Sequence, residues 1–139
     1  MPVLALDVGE RRIGIAVSDP SETYALPVGV VDRTALRADL AAIVELAAQH
    51  GARTIVVGDP ISLSGERGIA AQKMDRFCEM LGRVYDGTIA RADERLTTAQ
   101  ATKTLLAADL SRARRKRVVD QVAAALILDS FLARRRASR

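Results

Sequence analysis

The sequence predicts an α/β domain: a mixed five-stranded sheet, three antiparallel strands then parallel additions, flanked by helices on both faces. Three observations carry this expectation. Short apolar, β-branched runs open the chain, "VLALDV" (Val3 to Val8), "IGIAV" (Ile13 to Val17) and "VGVV" (Val28 to Val31), with no helical stretch between them. From Thr34 onward, stretches of helical periodicity alternate with two further strands. The chain closes with two consecutive helical segments, and right-handed crossovers would lay helices on both faces.

Each element has its own signal. Val3 to Val8 is a continuous apolar run, as expected of a strand buried on both faces, and Gly9-Glu10-Arg11-Arg12 is a short polar break that reads as a hairpin turn. Pro27 stands at the start of the third strand. Thr34 offers an N-cap, Leu36, Leu40, Ile43, Val44 and Ala47 recur at helical spacing, and His50-Gly51 supplies the stop. Thr54 to Gly58 is a fourth strand, after which "DPISLSGERG" reads as a loop. A helix follows with Ile69, Ala70, Met74, Phe77, Met80, Leu81 and Val84 on its apolar side, then a fifth strand from Thr88 to Ala92. Thr97 and Gln100 have capping-box spacing for a helix through about Leu106. A basic loop precedes a last apolar helix from about Val119 to Leu132.

At 139 residues, with 49% hydrophobic and 27% charged residues, the chain reads as one globular domain over 1–139, with a basic tail from about 133 to 139. The single cysteine, Cys78, allows no intramolecular disulfide and fits a reducing compartment. No apolar run approaches the roughly 18 to 20 residues that span a bilayer, and "MPVLALDVG" lacks a basic leader region, so the expected location is cytoplasmic, away from membranes. The net charge of +4 is unevenly spread. Arg112, Arg114, Arg115, Lys116 and Arg117 form one cluster, and Arg134, Arg135, Arg136 and Arg139 another. Such runs suit a polyanion; a solvated tail accounts equally well for the last one. Aromatic residues, at 3%, are too few for a base-stacking platform, so phosphate contacts and shape would dominate nucleic-acid binding.

The candidate chemistry rests on acids. His50, the single histidine, sits where a helix stops, and Cys78 lies beside Phe77 in a helix, so neither a serine triad nor a tetrahedral zinc site is supported. There is no phosphate loop of the G-x-x-x-x-G-K-[ST] type. Carboxylates remain, and their hard oxygens suit magnesium or manganese. Asp7 interrupts an apolar strand, where a turn-initiating role competes with a ligand role. Asp93-Glu94 follows the fifth strand, where acids also favour the positive end of the next helix. Asp120 shares a helical stripe with Ala124, Ile127 and Phe131, so it points along the buried face of the first turn, with an N-cap role as competitor. The cations Arg114 to Arg117 abut the positive end of that helix, an unfavourable placement that a bound phosphate would reverse. Converging carboxylates could hold two divalent ions about 3.5 to 4 Å apart for in-line phosphodiester displacement.

The strand order is that of the ribonuclease H-like fold. "LALDVGERRIGIAVSDP", "VVGDP", "ADERLTT" and "KRVVDQVAAALILDSFL" resemble, in order and over essentially the whole chain, segments of the YqgF/RuvX family of bacterial ribonuclease H-like proteins. The resemblance implies a metal-dependent nuclease acting on Holliday junctions or maturing the pre-16S ribosomal RNA end. It carries the acidic site onto Asp7, Glu94 and Asp120. One departure is Asp59 in "VGDP", where the family usually has an apolar residue. Asp59 is thus a candidate fourth ligand, against an Asp-Pro turn, and Asp93 reads as a turn or supporting residue.

The expected function is a magnesium- or manganese-dependent endonuclease on structured nucleic acid, with ribosomal RNA precursor, met on ribosomal particles, ahead of branched DNA. Arg11, Arg12 and the 112–117 cluster would grip phosphates, with Gly9 tightening the hairpin and leaving Arg11 and Arg12 free to do so. Two alternatives come from other classes: a non-catalytic nucleic-acid-binding module of the same fold, and a fragment of a sugar-kinase or actin-like ATPase. A monomer or a homodimer is compatible with this chain, the dimer suiting a symmetric junction.

Overall fold

The computed structural model describes residues 1–59, 68–93 and 112–138. The strands are β1 (Val3–Val8), β2 (Arg12–Ser18), β3 (Ala25–Asp32), β4 (Thr54–Asp59) and β5 (Thr88–Asp93). They form one sheet in the order β3-β2-β1-β4-β5. β1 pairs antiparallel with β2 and parallel with β4, so it is central, which explains its unbroken apolar run. β3 lies at the edge, where the missing N–H of Pro27 is tolerated.

The pleat divides the core in two. Leu4, Leu6, Ile13, Ile15, Ile55 and Val57 pack against α1 (Leu36–Gln49) and α2 (Ile69–Val84), through Leu40, Ile43, Met74, Phe77 and Leu81. Val3, Ala5, Ala16, Val56 and Ala92 face the other way, onto Ala123, Ala124, Ile127, Leu128 and Leu132 of α3 (Arg112–Ala137). This second face is built from small side chains, so α3 lies close to the strands.

Several boundaries differ from the sequence expectation. α1 is capped at Ala35, not Thr34, and the Thr34 backbone N–H donates instead to Asp39 Oδ1 at 3.0 Å. The stop at His50-Gly51 is as expected, with Gly51 in the left-handed region at φ 66°. On α2, Ile69 and Val84 are exposed rather than buried. The last helix is longer at both ends: it begins at Arg112 rather than Val119 and runs through Ala137 rather than Leu132. Residues 112–117 are therefore helical, not loop, and Asp120 stands in the third turn, which removes the N-cap alternative. Arginine, lysine and alanine are strong helix formers, and no glycine or proline interrupts 112–137, so propensity carries the helix through its unfavourable run of N-terminal cations. The helix expected over residues 97–106 and the loop over 60–67 lie outside the described residues.

Candidate active site

Asp7 is one residue from the end of the central strand, and it is 3% exposed. Side chains alternate along a strand, so Asp7 shares the face of Val3 and Ala5, which is the α3 face. Its register partner across the antiparallel pair is Gly14. Directly opposed residues project to the same side, so Gly14 also faces α3. A β-carbon on Gly14 would stand 2.0 Å from the backbone oxygen of Asp120 and 3.0 Å from the nitrogen of Gln121. Only glycine lets the backbone of α3 rest on β2 here. The contact brings Asp7 and Asp120 to one face of the sheet, on either side of Gly14.

Arg12 opens β2 with the same parity as Gly14, and its Nε donates to Asp120 Oδ2 at 3.0 Å. Both side chains are about one-fifth exposed, at 21% and 20%. Arg12 is thus engaged with Asp120 rather than free, while Arg11 in the turn is exposed. The stripe from Asp120 continues inward through Ala124 and Ile127, both fully buried, to half-buried Phe131.

The hairpin turn that follows Asp7 is held from the opposite face. The Gly9 N–H donates to the Arg12 carbonyl at 2.9 Å, and a β-carbon on Gly9 would meet that same oxygen at 2.9 Å. Arg33, between β3 and α1, donates from Nη1 to the Gly9 carbonyl at 2.9 Å, and its backbone N–H donates to the Arg11 carbonyl at 2.8 Å. Its Nε donates to Asp39 Oδ2 at 3.3 Å, and its guanidinium lies 5.8 Å from the centre of the Phe77 ring. Asp39 is buried. Sequence reasoning missed Gly14, Arg33 and Asp39. Gly14 carried a usable signal, a glycine inside a β-branched strand; the Arg33–Asp39 pair carried none.

Asp59 and Asp93 are register partners at the last positions of β4 and β5. Glu94 lies outside the described residues. The backbones of Arg112, Arg114, Arg115, Lys116 and Arg117 occupy the first turns of α3, ahead of Asp120 on the same helix. His50 caps α1, and Cys78 packs half-buried against the core. The basic tail is partly structural: Arg135 Nη1 donates to Glu22 Oε1 at 2.7 Å, and Arg136 donates to the carbonyls of Glu22 and Thr23. Among the described residues, no group of three acidic, histidine or cysteine side chains could hold a metal ion. Asp7 and Asp120 contribute hard oxygen donors of the kind magnesium and manganese take. Among the described residues no helix is long and apolar enough to cross a membrane.

A family model for RuvX, described as Holliday junction resolvase, matches residues 1–134. A protein of Clostridium perfringens named "Putative pre-16S rRNA nuclease" is 40% identical over 134 residues, covering 96% of this chain and 98% of its own. Proteins of the same name from Myxococcus xanthus and Desulforudis audaxviator are 43% and 42% identical, covering 95% and 100% of this chain and 87% and 99% of their own. Among solved structures, Thermus thermophilus RuvC in complex with a Holliday junction substrate aligns with a TM-score of 0.60 at 14% identity, over 97% of this chain and 96% of that one. The fowlpox virus Holliday junction resolvase aligns at 0.54 and 11% identity over 100% of both chains. These two likenesses show the fold, which is ribonuclease H-like. With sequence relatives at this identity along nearly its whole length, the chain belongs to the RuvX family of nucleases.

Proposed function

We propose that this chain is a divalent-metal-dependent endonuclease that trims the pre-16S ribosomal RNA end, acting on the precursor within a ribosomal particle. The observation that carries the reading is the Gly14 contact, which seats Asp120 on the same face of the sheet as the buried carboxylate of Asp7. Asp7 and Asp120 would hold magnesium or manganese, with Glu94 as a third ligand. When bound, the metal neutralises charge on the phosphate and lowers the pKa of a water molecule. Asp7 is fixed by its strand, and its burial keeps bulk water from screening it. Asp120 is fixed by the backbone contact to Gly14, and the hydrogen bond from Arg12 sets the rotation of its carboxylate. Arg12 also adds positive charge where a phosphate would approach. Arg11 and the 112–117 cluster would meet flanking phosphates, so affinity would fall steeply with salt.

The rRNA substrate rests on the names of the relatives. The family description favours a second reading, cleavage of a four-way DNA junction. The test compares wild type with Asp7→Asn and Asp120→Asn on both substrates with magnesium. Each substitution should cut cleavage of the true substrate by roughly two orders of magnitude or more, as removal of a group serving transition-state charge does. Undiminished cleavage by both variants would sink the assignment.

A further inference from the structure

On the α2 side of the hairpin turn, opposite α3, lies a cleft of about 520 Å³ whose walls include Gly9, Glu10, Arg33, Lys73, Arg76 and Phe77. We propose that it receives one nucleotide unit of the substrate strand flanking the cleaved bond, with Lys73 and Arg76 gripping its phosphate. The proposal rests on the nuclease reading and extends it to a second contact point.

Three observations converge on this cleft. First, the cleft and Asp7 flank the same turn, Gly9 to Arg11, from the two faces of the sheet. A strand engaged at Asp7 and Asp120 and continuing over the turn enters the cleft. Its volume lies within the roughly 300 to 1,000 Å³ typical of small-molecule sites, ample for a nucleotide unit.

Second, Lys73 and Arg76 are exposed cations spaced i, i+3 on α2, a like-charge pair that costs the helix a few tenths of a kcal/mol. The acids of α2 are committed elsewhere: Asp75 Oδ1 accepts from Arg91 at 2.6 Å and Glu79 Oε1 from Arg83 at 2.9 Å. Neither Lys73 nor Arg76 has an ion-pair partner among the described residues. An anion in the cleft relieves that repulsion. Third, Arg33 is already neutralised by Asp39 and fixed on Phe77, so it serves as a rigid wall while Lys73 and Arg76 supply the net charge. Glu10 at the rim opposes an anion, which gives the test a second sign.

The test measures binding of a fluorescent pre-16S RNA fragment and of a four-way DNA junction by anisotropy across a salt series, in an Asp7→Asn background that blocks turnover. Lys73→Ala/Arg76→Ala should weaken binding roughly tenfold at low salt and flatten the log–log salt slope by about 0.7 to 0.9, the value for one lost phosphate contact. Glu10→Gln should tighten binding. Arg37→Ala/Arg83→Ala, which removes the same charge from the far side of α1 and α2, should leave the slope unchanged. All substituted residues of the cleft pair are exposed, so an unchanged melting temperature is expected to accompany the loss. An unaltered slope in the Lys73/Arg76 variant, or an equal change in the control, overturns the cleft assignment while leaving the nuclease reading intact. A parent protein that binds neither probe and, with Asp7 restored, cleaves neither overturns both.

Discussion

The backbone carbonyl of Asp120 occupies the space where a side chain at Gly14 would begin, and Gly14 is the register partner of Asp7. One glycine therefore links the central strand to the last helix at the level of the candidate site. The contact is backbone on backbone, with no flexible side chain to yield. Gly14→Ala should push α3 off β2 and cost about 3 kcal/mol or more, at the upper end for overpacking. Chemical denaturation measures the loss. Cleavage should fall further than stability at a temperature where the variant is still folded, because the two carboxylates move apart. A variant with wild-type stability and rate contradicts the geometry.

Arg12 and a divalent cation would compete for Asp120. The pair is only one-fifth exposed, yet not sealed, so Arg12→Ala should cost about 1 to 2 kcal/mol, less than the 3 to 5 of a fully buried pair. Magnesium or manganese, titrated calorimetrically, should then bind severalfold more tightly, since a neighbouring positive charge has gone. Nucleic-acid affinity should move the opposite way. Unchanged or weaker metal binding in the variant would show that Arg12 does not compete with the cation for Asp120.

Much of this arrangement was legible in the sequence because it follows from local rules. The strands β1, β4 and β5 announce themselves by apolar, β-branched runs, and Gly51 marks the end of α1. The inward placement of Asp120 follows from helical spacing alone. The start of α3 was not legible, since arginines serve equally in a solvated loop and in a helix, and their charge next to the helix dipole argued for the loop. The Arg33–Asp39 pair was hidden for another reason: its two residues sit in a connection and a first helical turn, and only the folded hairpin makes Gly9 their neighbour.

That pair supports the turn beside Asp7. Removing Asp39 strands the charge of Arg33, which is about one-quarter exposed at 26%, and frees the Thr34 N–H. Asp39→Ala should therefore cost about 3 kcal/mol in urea unfolding. Replacing both partners, as Arg33→Met/Asp39→Ala, should recover most of that loss, because no buried charge is left alone. Additive losses in the double variant would show that the two residues act independently.

The loop between β2 and β3 should govern part of the acid sensitivity. Asp19 accepts from the Ser21 hydroxyl and from the backbone N–H groups of Thr23 and Tyr24 at 2.7 and 2.8 Å. The Ser21 hydrogen bond first, with those backbone donors, lowers its carboxyl from 3.8 to about 2. A depressed folded pKa means that the unfolded chain takes up the proton first. The stabilisation is therefore complete above about pH 4 and erodes as the pH falls toward 2. The same loop carries Glu22 in a left-handed conformation at φ 57°, clamped by Arg135 of α3. Loosening it should thus also release the end of the last helix. Denaturation midpoints for wild type and Asp19→Asn, followed from pH 6 to 2, should converge on the acid side, because only wild type has this carboxylate to lose. Glu22 is common to both proteins and cancels in the difference. Parallel curves over that range would remove Asp19 from the account.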